Sequence, residues 1–250
     1  SAIHHHQSEA RPSQHQRQNF RWWIDRLRHN LQMYDIVRID HFRGLVQYWE
    51  IPAAEKTAVT GQWQPVPTKE FLDTVLAEFP SCPIIAEDLG MITDDVHEVM
   101  TAYGFPGMKV LLFAFGGEDT NIYLPENYPE NCVVYVGTHD NNTARGWCEN
   151  EMTAKEKKHL QKYLGKIVRC EDIAWELTLP AFRSRAAVAM VSLQDVLNLD
   201  ASARMNTPGT MDNNWRWKAS SFGDPQIWNR LENLTRESNR QSLKTQKGLK

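Results

Sequence analysis

Short apolar runs alternate with amphipathic segments along most of the chain. Five short apolar runs predict buried strands at 36–40, 84–87, 109–115, 133–137 and 187–193, and the first is rich in β-branched residues. Apolar residues at helical spacing predict helices at about 20–33, 68–79, 93–103, 142–149, 153–164, 172–186 and 225–236. Strands that alternate with helices predict an α/β fold with a parallel sheet and right-handed crossovers.

Two stretches fall outside this alternation. Residues 1–18 carry almost nothing apolar, so we expect a disordered arm or the remnant of an expression tag, with the folded part spanning 19–250. The long connection at 45–67 contains Tyr48, Trp49 and Trp63, and its aromatic residues favour a functional role over a plain linker.

The composition is that of a soluble globular protein, with 41% hydrophobic and 24% charged residues. A net charge of −3 gives no electrostatic reason to expect a nucleic-acid partner or an anionic membrane. No apolar run approaches the roughly 20 residues of a membrane-spanning helix. The four cysteines, Cys82, Cys132, Cys148 and Cys170, form no CxxC pair, which predicts free thiols in a reducing cytoplasm.

Three of the predicted strands end at an acidic side chain: Asp40, Glu87 and Asp140. The carboxyl ends of parallel barrel strands share one face, where active sites lie. Cleavage of a glycosidic bond needs one ionised carboxylate and one protonated carboxyl group. Arg38 shares a strand face with Asp40 and favours its ionised form, whereas the apolar run before Glu87 predicts an apolar setting that favours the protonated form.

The residues alone leave alternatives open. Any one of these acids could simply cap a helix. A metal site is the rival interpretation of the group, because Asp, Glu and His are all metal ligands. However, there is no HxH or HExxH motif, and on a regular strand His41 and His139 should point away from the neighbouring acids. Nothing in the sequence calls for a cofactor or a metal.

Three motifs carry a resemblance to a known family. They are Arg38–Gly44 (RIDHFRG), Ile85–Gly90 (IAEDLG) and Gly137–Asn141 (GTHDN), and they closely resemble motifs of the 4-α-glucanotransferases, also called amylomaltases or disproportionating enzymes. The resemblance runs from about residue 20 to about 217 and includes YWEIP at 48–52 and NTPGT at 206–210. It implies a (β/α)8 TIM-barrel of the α-amylase superfamily. Because a closed barrel needs eight strands, we expect only its C-terminal part, with about five strands.

The resemblance also implies residue roles. Asp40 would be the nucleophile, Glu87 the general acid/base and Asp140 the transition-state stabiliser. Arg38 and His139 would lie beside the sugar. The remaining candidate substrate-binding residues are His41, Asn141, Tyr48, Trp49 and Trp63. The last three, which are aromatic, would bind the acceptor sugar.

The implied activity is retaining transfer of α-1,4-glucan segments between maltooligosaccharides, in the cytoplasm, or in a plastid if the origin is a plant or an alga. An α-glucan hydrolase and an incomplete maltodextrin-binding fragment remain alternatives. Because members of the family are about twice this length, we expect the chain alone to be poorly active, and either to self-associate or to need the missing N-terminal half.

Overall fold

The computed structural model describes residues 20–241 except 82, 118 and 119. The expectation for residues 1–18 and the predicted thiol of Cys82 therefore lie outside the described residues. The chain divides into two compact units, of which the first ends at Met108 and the second begins at Lys109.

The first unit alternates helices with short strands around an apolar core. Its elements are α1 (Arg21–Met33), β1 (Val37–Ile39), β2 (Gln47–Glu50), β3 (Gln62–Pro65), α2 (Thr68–Glu78), β4 (Ile84–Ala86) and α3 (Asp94–Tyr103). Strands β1 and β4 are parallel, and β2 pairs antiparallel with β3. The amphipathic helices bury Leu27, Leu72, Val75 and Val96 against β4, where Ile84 is also buried. Burial of these side chains supplies the main driving force for folding of this unit.

The second unit holds the later strands and most of the helices. Strand β5 (Gly107–Val110) crosses the boundary, and the unit continues with β6 (Cys132–Tyr135), α4 (Ala144–Asn150), α5 (Ala154–Leu164), α6 (Ile173–Arg183), β7 (Val188–Met190), α7 (Leu193–Val196) and α8 (Pro225–Glu237). The strand order is β5-β6-β7, and β6 runs parallel to β7. None of the helices within the described residues is long and apolar enough to cross a membrane.

All five predicted strands are present, but two of the predictions need correction. The strand predicted at 109–115 ends at Val110. The chain then turns through a 3-10 helix at Leu111–Phe113, in which the Ala114 amide donates back to the Leu111 carbonyl at 3.0 Å instead of to a neighbouring strand. The strand predicted as buried at 187–193 is β7, whose Val188 and Met190 are 38% and 39% exposed.

The connection at 45–67 contains a feature that the sequence pattern does not predict. It forms the β2–β3 hairpin, which pairs Trp49 directly opposite Trp63. Neither strand has a fully buried residue, so neither shows the apolar run or strict alternation by which a strand is recognised.

The prediction of free thiols was wrong for two cysteines. Cys148 near the end of α4 and Cys170 shortly before α6 form a disulfide with their Cα atoms 5.5 Å apart. They are 22 residues apart in sequence, and α5 folds back between them, so no local spacing reveals the pair. Cys132 is buried and stays a thiol, as predicted, and its Sγ donates to the Pro129 carbonyl at 3.1 Å. The disulfide removes the thiol argument for a reducing compartment.

Candidate active site

Two of the candidate acids follow adjacent parallel strands of the first unit. Ile39 at the end of β1 pairs with Ala86 at the end of β4, so Asp40 and Glu87 are the next residues on each strand. The Glu87 amide donates to the Ile39 carbonyl at 3.0 Å, which extends the ladder to the acids themselves. The expected position at the carboxyl ends of neighbouring strands is confirmed for this pair.

The Asp40 carboxylate is exposed and paired with a guanidinium. Arg38 Nη2 donates to Asp40 Oδ1 at 2.6 Å, as their shared strand face predicts. The other end of the Arg38 fork contacts the Met108 sulfur at 3.2 Å, which fixes the direction of the guanidinium. The Asp40 side chain is 76% exposed, so its second oxygen is open to a reacting partner.

The surroundings of Glu87 differ from the apolar setting predicted for it. Glu87 Oε2 accepts the backbone N–H of His41 at 2.6 Å, and Oε1 accepts the backbone N–H of Leu89 at 2.8 Å. The three apolar residues before Glu87 are buried within β4, but the strand ends there and the side chain turns toward two backbone donors. The carboxylate is therefore held at both oxygens.

His41 adopts the left-handed conformation at φ 50°, which is uncommon for a residue with a side chain. This turn directs its N–H toward Glu87, and the next amide, of Phe42, donates to the Glu87 carbonyl at 3.1 Å. The segment after Asp40 thus binds the segment after β4 through its backbone. The imidazole of His41 stays a predicted sugar contact.

Asp88 is a buried acid that sequence reasoning did not single out. Its Oδ1 accepts the Met108 amide at 2.6 Å, and a Cβ at position 107 would lie 2.7 Å from its carboxylate, so only Gly107 fits there. This packing fixes the backbone that follows Glu87. In the sequence, only its position next to Glu87 could have marked Asp88 as important.

The three aromatic candidates lie on the β2–β3 hairpin. The Trp49 and Trp63 rings meet edge to face at 5.3 Å and remain 36% and 46% exposed. Tyr48 points to the other side, and its pKa is raised by burial and by the nearby Glu50 carboxylate. The hairpin therefore presents two indoles to solvent, a surface that suits the apolar face of a sugar ring.

The third acid, Asp140, lies in the second unit within a turn after β6. Strand β6 ends at Tyr135, and the Asn141 amide donates to the Thr138 carbonyl at 3.1 Å. Because this segment is a turn and not a strand, His139 and Asp140 do not point apart as predicted. His139 Nε2 lies 3.4 Å from Asp140 Oδ1.

Residues far along the sequence hold the Asp140 turn. Asn206 Nδ2 donates to Asp140 Oδ1 at 2.6 Å, and the Asn206 amide donates to the His139 carbonyl at 3.1 Å. Arg204 Nη2 donates to the Asp140 carbonyl at 2.9 Å, and its Nη1 binds Glu151 at 2.9 Å. Trp215 packs against the His139 ring at 5.1 Å.

Asn141 has a turn-forming role in the structure. Its Oδ1 accepts the Thr138 amide at 2.8 Å and the Thr138 hydroxyl at 3.0 Å. Its predicted sugar contact could therefore involve only the remaining amide nitrogen. Within the residues that the structure describes, no three His, Cys, Asp or Glu side chains are grouped as a metal ion would require.

The order of the three motifs along the chain is shared with a known protein family. A family profile described as 4-alpha-glucanotransferase, glycoside hydrolase family 77, matches residues 7–222. This chain belongs to the 4-alpha-glucanotransferase family. The family assigned from the three motifs is thereby confirmed.

Several curated 4-alpha-glucanotransferases are similar to this chain. The protein from Clostridium butyricum is 42% identical over 219 residues, which are 87% of this chain and 45% of that protein. The one from Synechocystis is 48% identical over 80% of this chain and 39% of its own length. The chloroplastic/amyloplastic enzyme of Oryza sativa is 46% identical over 81% of this chain and 34% of its own length. The chain thus spans less than half the length of these family members.

Solved structures of 4-alpha-glucanotransferases agree with the fold. Amylomaltase from Streptococcus agalactiae, solved in complex with acarbose, matches with a TM-score of 0.84 and 36% identity over 91% of this chain and 46% of that one. Amylomaltase from Corynebacterium glutamicum matches with a TM-score of 0.62 at 18% identity, over 80% of this chain and 34% of that one, which supports the fold alone. The fold is of the TIM-barrel type, as the motifs implied.

Proposed function

We propose that this chain carries the catalytic carboxylates of a 4-α-glucanotransferase, which moves α-1,4-glucan segments between maltooligosaccharides with retention of configuration. The observation that carries the proposal is the pair of acids after β1 and β4, where one carboxylate is open beside a guanidinium and the other is held by two backbone amides. Family membership supports the activity.

In the first step, Asp40 attacks the anomeric carbon of the donor sugar. The glycosidic C–O bond breaks, an ester bond to Asp40 forms, and Glu87 donates its proton to the departing 4-oxygen. The hydrogen bond from Arg38 directs the Asp40 carboxylate, which leaves its second oxygen for attack. The two backbone donors fix the position of Glu87 for proton transfer, because hydrogen bonds from rigid backbone define where its oxygens lie.

In the second step, the 4-hydroxyl of an acceptor sugar attacks the ester. Glu87 now accepts the hydroxyl proton, the bond to Asp40 breaks, and the configuration is retained after two inversions. Asp140 acts as the stabiliser of the oxocarbenium-like transition state, with its charge held by Asn206.

We assign substrate binding to the remaining polar and aromatic candidates. Arg38, His139, His41 and Asn141 contact the donor sugar, and Tyr48, Trp49 and Trp63 bind the acceptor. The exposed indole pair on the β2–β3 hairpin supports the acceptor assignment. An acceptor bound by apolar stacking competes with water for the glycosyl ester, which is what transfer requires.

The partners of the chain stay proposals as well. The relatives are more than twice as long as the part this chain matches, so we propose that a complementary half or a second copy completes the enzyme. The exposed Val188 and Met190 of β7 support this, because a barrel strand with an uncovered apolar face lacks packing partners. A location in the cytoplasm or a plastid stays a prediction.

The test is incubation with maltotriose and separation of the products by size. We expect glucose together with oligomers longer than maltotriose. Asp40→Asn should lower this activity by at least about a thousandfold, because it removes the nucleophile. The matched control is Asp35→Asn, an exposed acid just before β1, which should leave the products unchanged. Glucose and maltose alone would indicate hydrolysis and contradict the proposed transfer.

A further inference from the structure

Arg43 lies three residues after Asp40 and is 9% exposed, which is unusual for an arginine. Its Nη1 donates to the Thr93 hydroxyl at 2.7 Å. Its guanidinium carbon lies 4.2 Å from the centre of the Trp63 ring. Within the residues that the structure describes, no carboxylate forms an ion pair with it, so its charge is met by a hydroxyl and an indole face.

These contacts join three segments of the first unit. Arg43 belongs to the 3-10 helix Phe42–Leu45 that follows Asp40, Thr93 begins the helix that follows the Glu87 motif, and Trp63 is on β3. The planar guanidinium matches the flat indole in a way that the ammonium group of lysine cannot.

A second link runs parallel to the first. The Thr93 hydroxyl donates to Asp95, and Asp95 Oδ2 accepts the Gln47 side-chain amide at 3.0 Å. Gln47 is the first residue of β2, so both strands of the hairpin are connected to the start of α3. Side chains therefore add two links between the hairpin and the start of α3 to the backbone bond of Val66 with Val46.

The hairpin itself is closely packed around its indoles. A Cβ at Gly61 would lie 2.6 Å from Trp49 Nε1, and Trp49 Nε1 donates to the Ala58 carbonyl at 3.0 Å. Trp63 in turn meets Trp49 at 5.3 Å. A displacement of Trp63 is thus transmitted to Trp49 and to the connection between the strands.

We propose that Arg43 is a positioning residue, which holds the Trp49–Trp63 pair in register with Asp40 and thereby governs the binding of maltooligosaccharides at the hairpin. The inference rests on the proposed function, since it names the residue that orients the proposed acceptor site. Arg43 itself touches no reacting atom; it acts through Trp63.

The experiment compares the binding of maltotriose, by calorimetric titration of the full chain, among four proteins: wild type, Arg43→Lys, Trp63→Ala and the double variant. Arg43→Lys should weaken binding about tenfold. In the Trp63→Ala background the same substitution should change binding less than twofold, because the group through which it acts is absent. Arg26→Lys is the matched control, since Arg26 stacks on Trp22 at 5.3 Å on α1, and it should bind as the wild type does.

Hydrogen exchange supplies a readout that does not depend on sugar binding. Arg43→Lys should raise the exchange of amides at 47–65 without raising that of the core strand β4. Equal effects of Arg43→Lys with and without Trp63 would overturn the proposal, as would unchanged exchange in the hairpin or no binding of maltotriose by the wild type. Binding that follows the predicted pattern in a chain that forms no transfer products would support the role of Arg43 and contradict only the proposed function.

Discussion

The Asp140 side chain is held by a partner that is distant in sequence. Asn206 lies 66 residues further along and donates one hydrogen bond of 2.6 Å to the carboxylate. Hydrogen bonds to charged groups contribute about 1.5–3 kcal/mol, more than bonds between neutral groups. The orientation of Asp140 is therefore a property of the loop that carries Asn206.

Asn206→Ala should lower transfer activity by about tenfold or more, because Asp140 loses the donor that directs it. The free energy of unfolding should change by less than about 1 kcal/mol, since Asp140 is exposed and Asn206 is only partly buried. Activity on maltotriose and urea unfolding measure the two effects. Asn229→Ala, an exposed asparagine on α8, is the control and should change neither. If the lost activity were fully explained by a lower free energy of unfolding, Asn206 would have a purely structural role.

Asp195 is a buried acid that makes the stability of the second unit depend on pH. Burial raises its pKa above the ordinary value of 3.8, although hydrogen bonds with Ala144 and Ser192 oppose this. The folded state therefore binds the proton more tightly than the unfolded state, and stability is lost as pH rises from about 4 through the raised folded value. Asp195→Asn keeps an acceptor for the Ala144 amide and removes this dependence.

Urea unfolding at several pH values tests this. The variant should be close to the wild type near pH 4 and more stable at neutral pH, with the difference growing as pH rises. A variant that is less stable than the wild type at neutral pH would show that the ionised carboxylate is favourable in the fold.

At the scale of single residues, the sequence pattern predicts contacts between residues that are close in sequence. It does not predict contacts between residues that are distant in sequence. The ion pair of Arg38 with Asp40 follows from strand periodicity. The backbone donors to Glu87 do not, because they depend on where β4 ends and on the left-handed turn at His41. Arg204 and Asn206 reach the Asp140 turn only through the tertiary fold.

Secondary structure followed the apolar pattern wherever an element had a buried face. The seven predicted helices and five predicted strands all have a counterpart in the described residues. The β2–β3 hairpin was missed because its strands mix aromatic and amide residues with no buried side. The same exposure leaves the Trp49 and Trp63 indoles open to solvent.

Helix α5 begins with a reciprocal cap that a single substitution should weaken. The Thr153 hydroxyl accepts the Glu156 amide, and the Glu156 carboxylate accepts the Thr153 amide at 2.7 Å. Thr153→Ala should cost about 1 kcal/mol in the free energy of unfolding. Thr57→Ala in the exposed connection of the hairpin is the control and should cost nothing measurable in urea unfolding. Equal stability of the two variants would contradict the role of the cap.

The Cys148–Cys170 disulfide closes a loop around α5. A cross-link over 22 residues removes conformational entropy from the unfolded chain, which corresponds to about 3 kcal/mol. Replacement of both cysteines by serine should lower the free energy of unfolding by this amount under oxidising conditions. The wild type should match the variant once dithiothreitol is added. An effect of dithiothreitol on the double variant would show that the change comes from elsewhere.

At the scale of the whole molecule, the chain carries the candidate catalytic residues but matches less than half of its relatives' length. The acids, their partners and the aromatic hairpin are all present in this chain, whereas its relatives are more than twice as long as the matched part. The expectation of a partial barrel followed from the number of strand patterns. Which chain would complete the proposed barrel is not a property that residue patterns within this chain encode.

Complementation tests this proposal. The part of the Streptococcus agalactiae amylomaltase that this chain does not cover, produced separately, should raise transfer activity on maltotriose at least tenfold when mixed with the chain. An equal mass of an unrelated protein is the control. A chain that elutes as a compact monomer and has the same activity with and without the added part would contradict the need for a partner.

The central claim is that Asp40 forms a glycosyl ester. Maltotriosyl fluoride is a direct probe, because its fluoride leaves without a proton and the second step still needs Glu87 as a base. In the Glu87→Gln variant the ester should accumulate, and mass spectrometry of the digested protein should find the added sugar on the peptide that contains Asp40. Attachment to another carboxylate, or consumption of the fluoride with an unmodified Asp40 peptide throughout, would contradict the account.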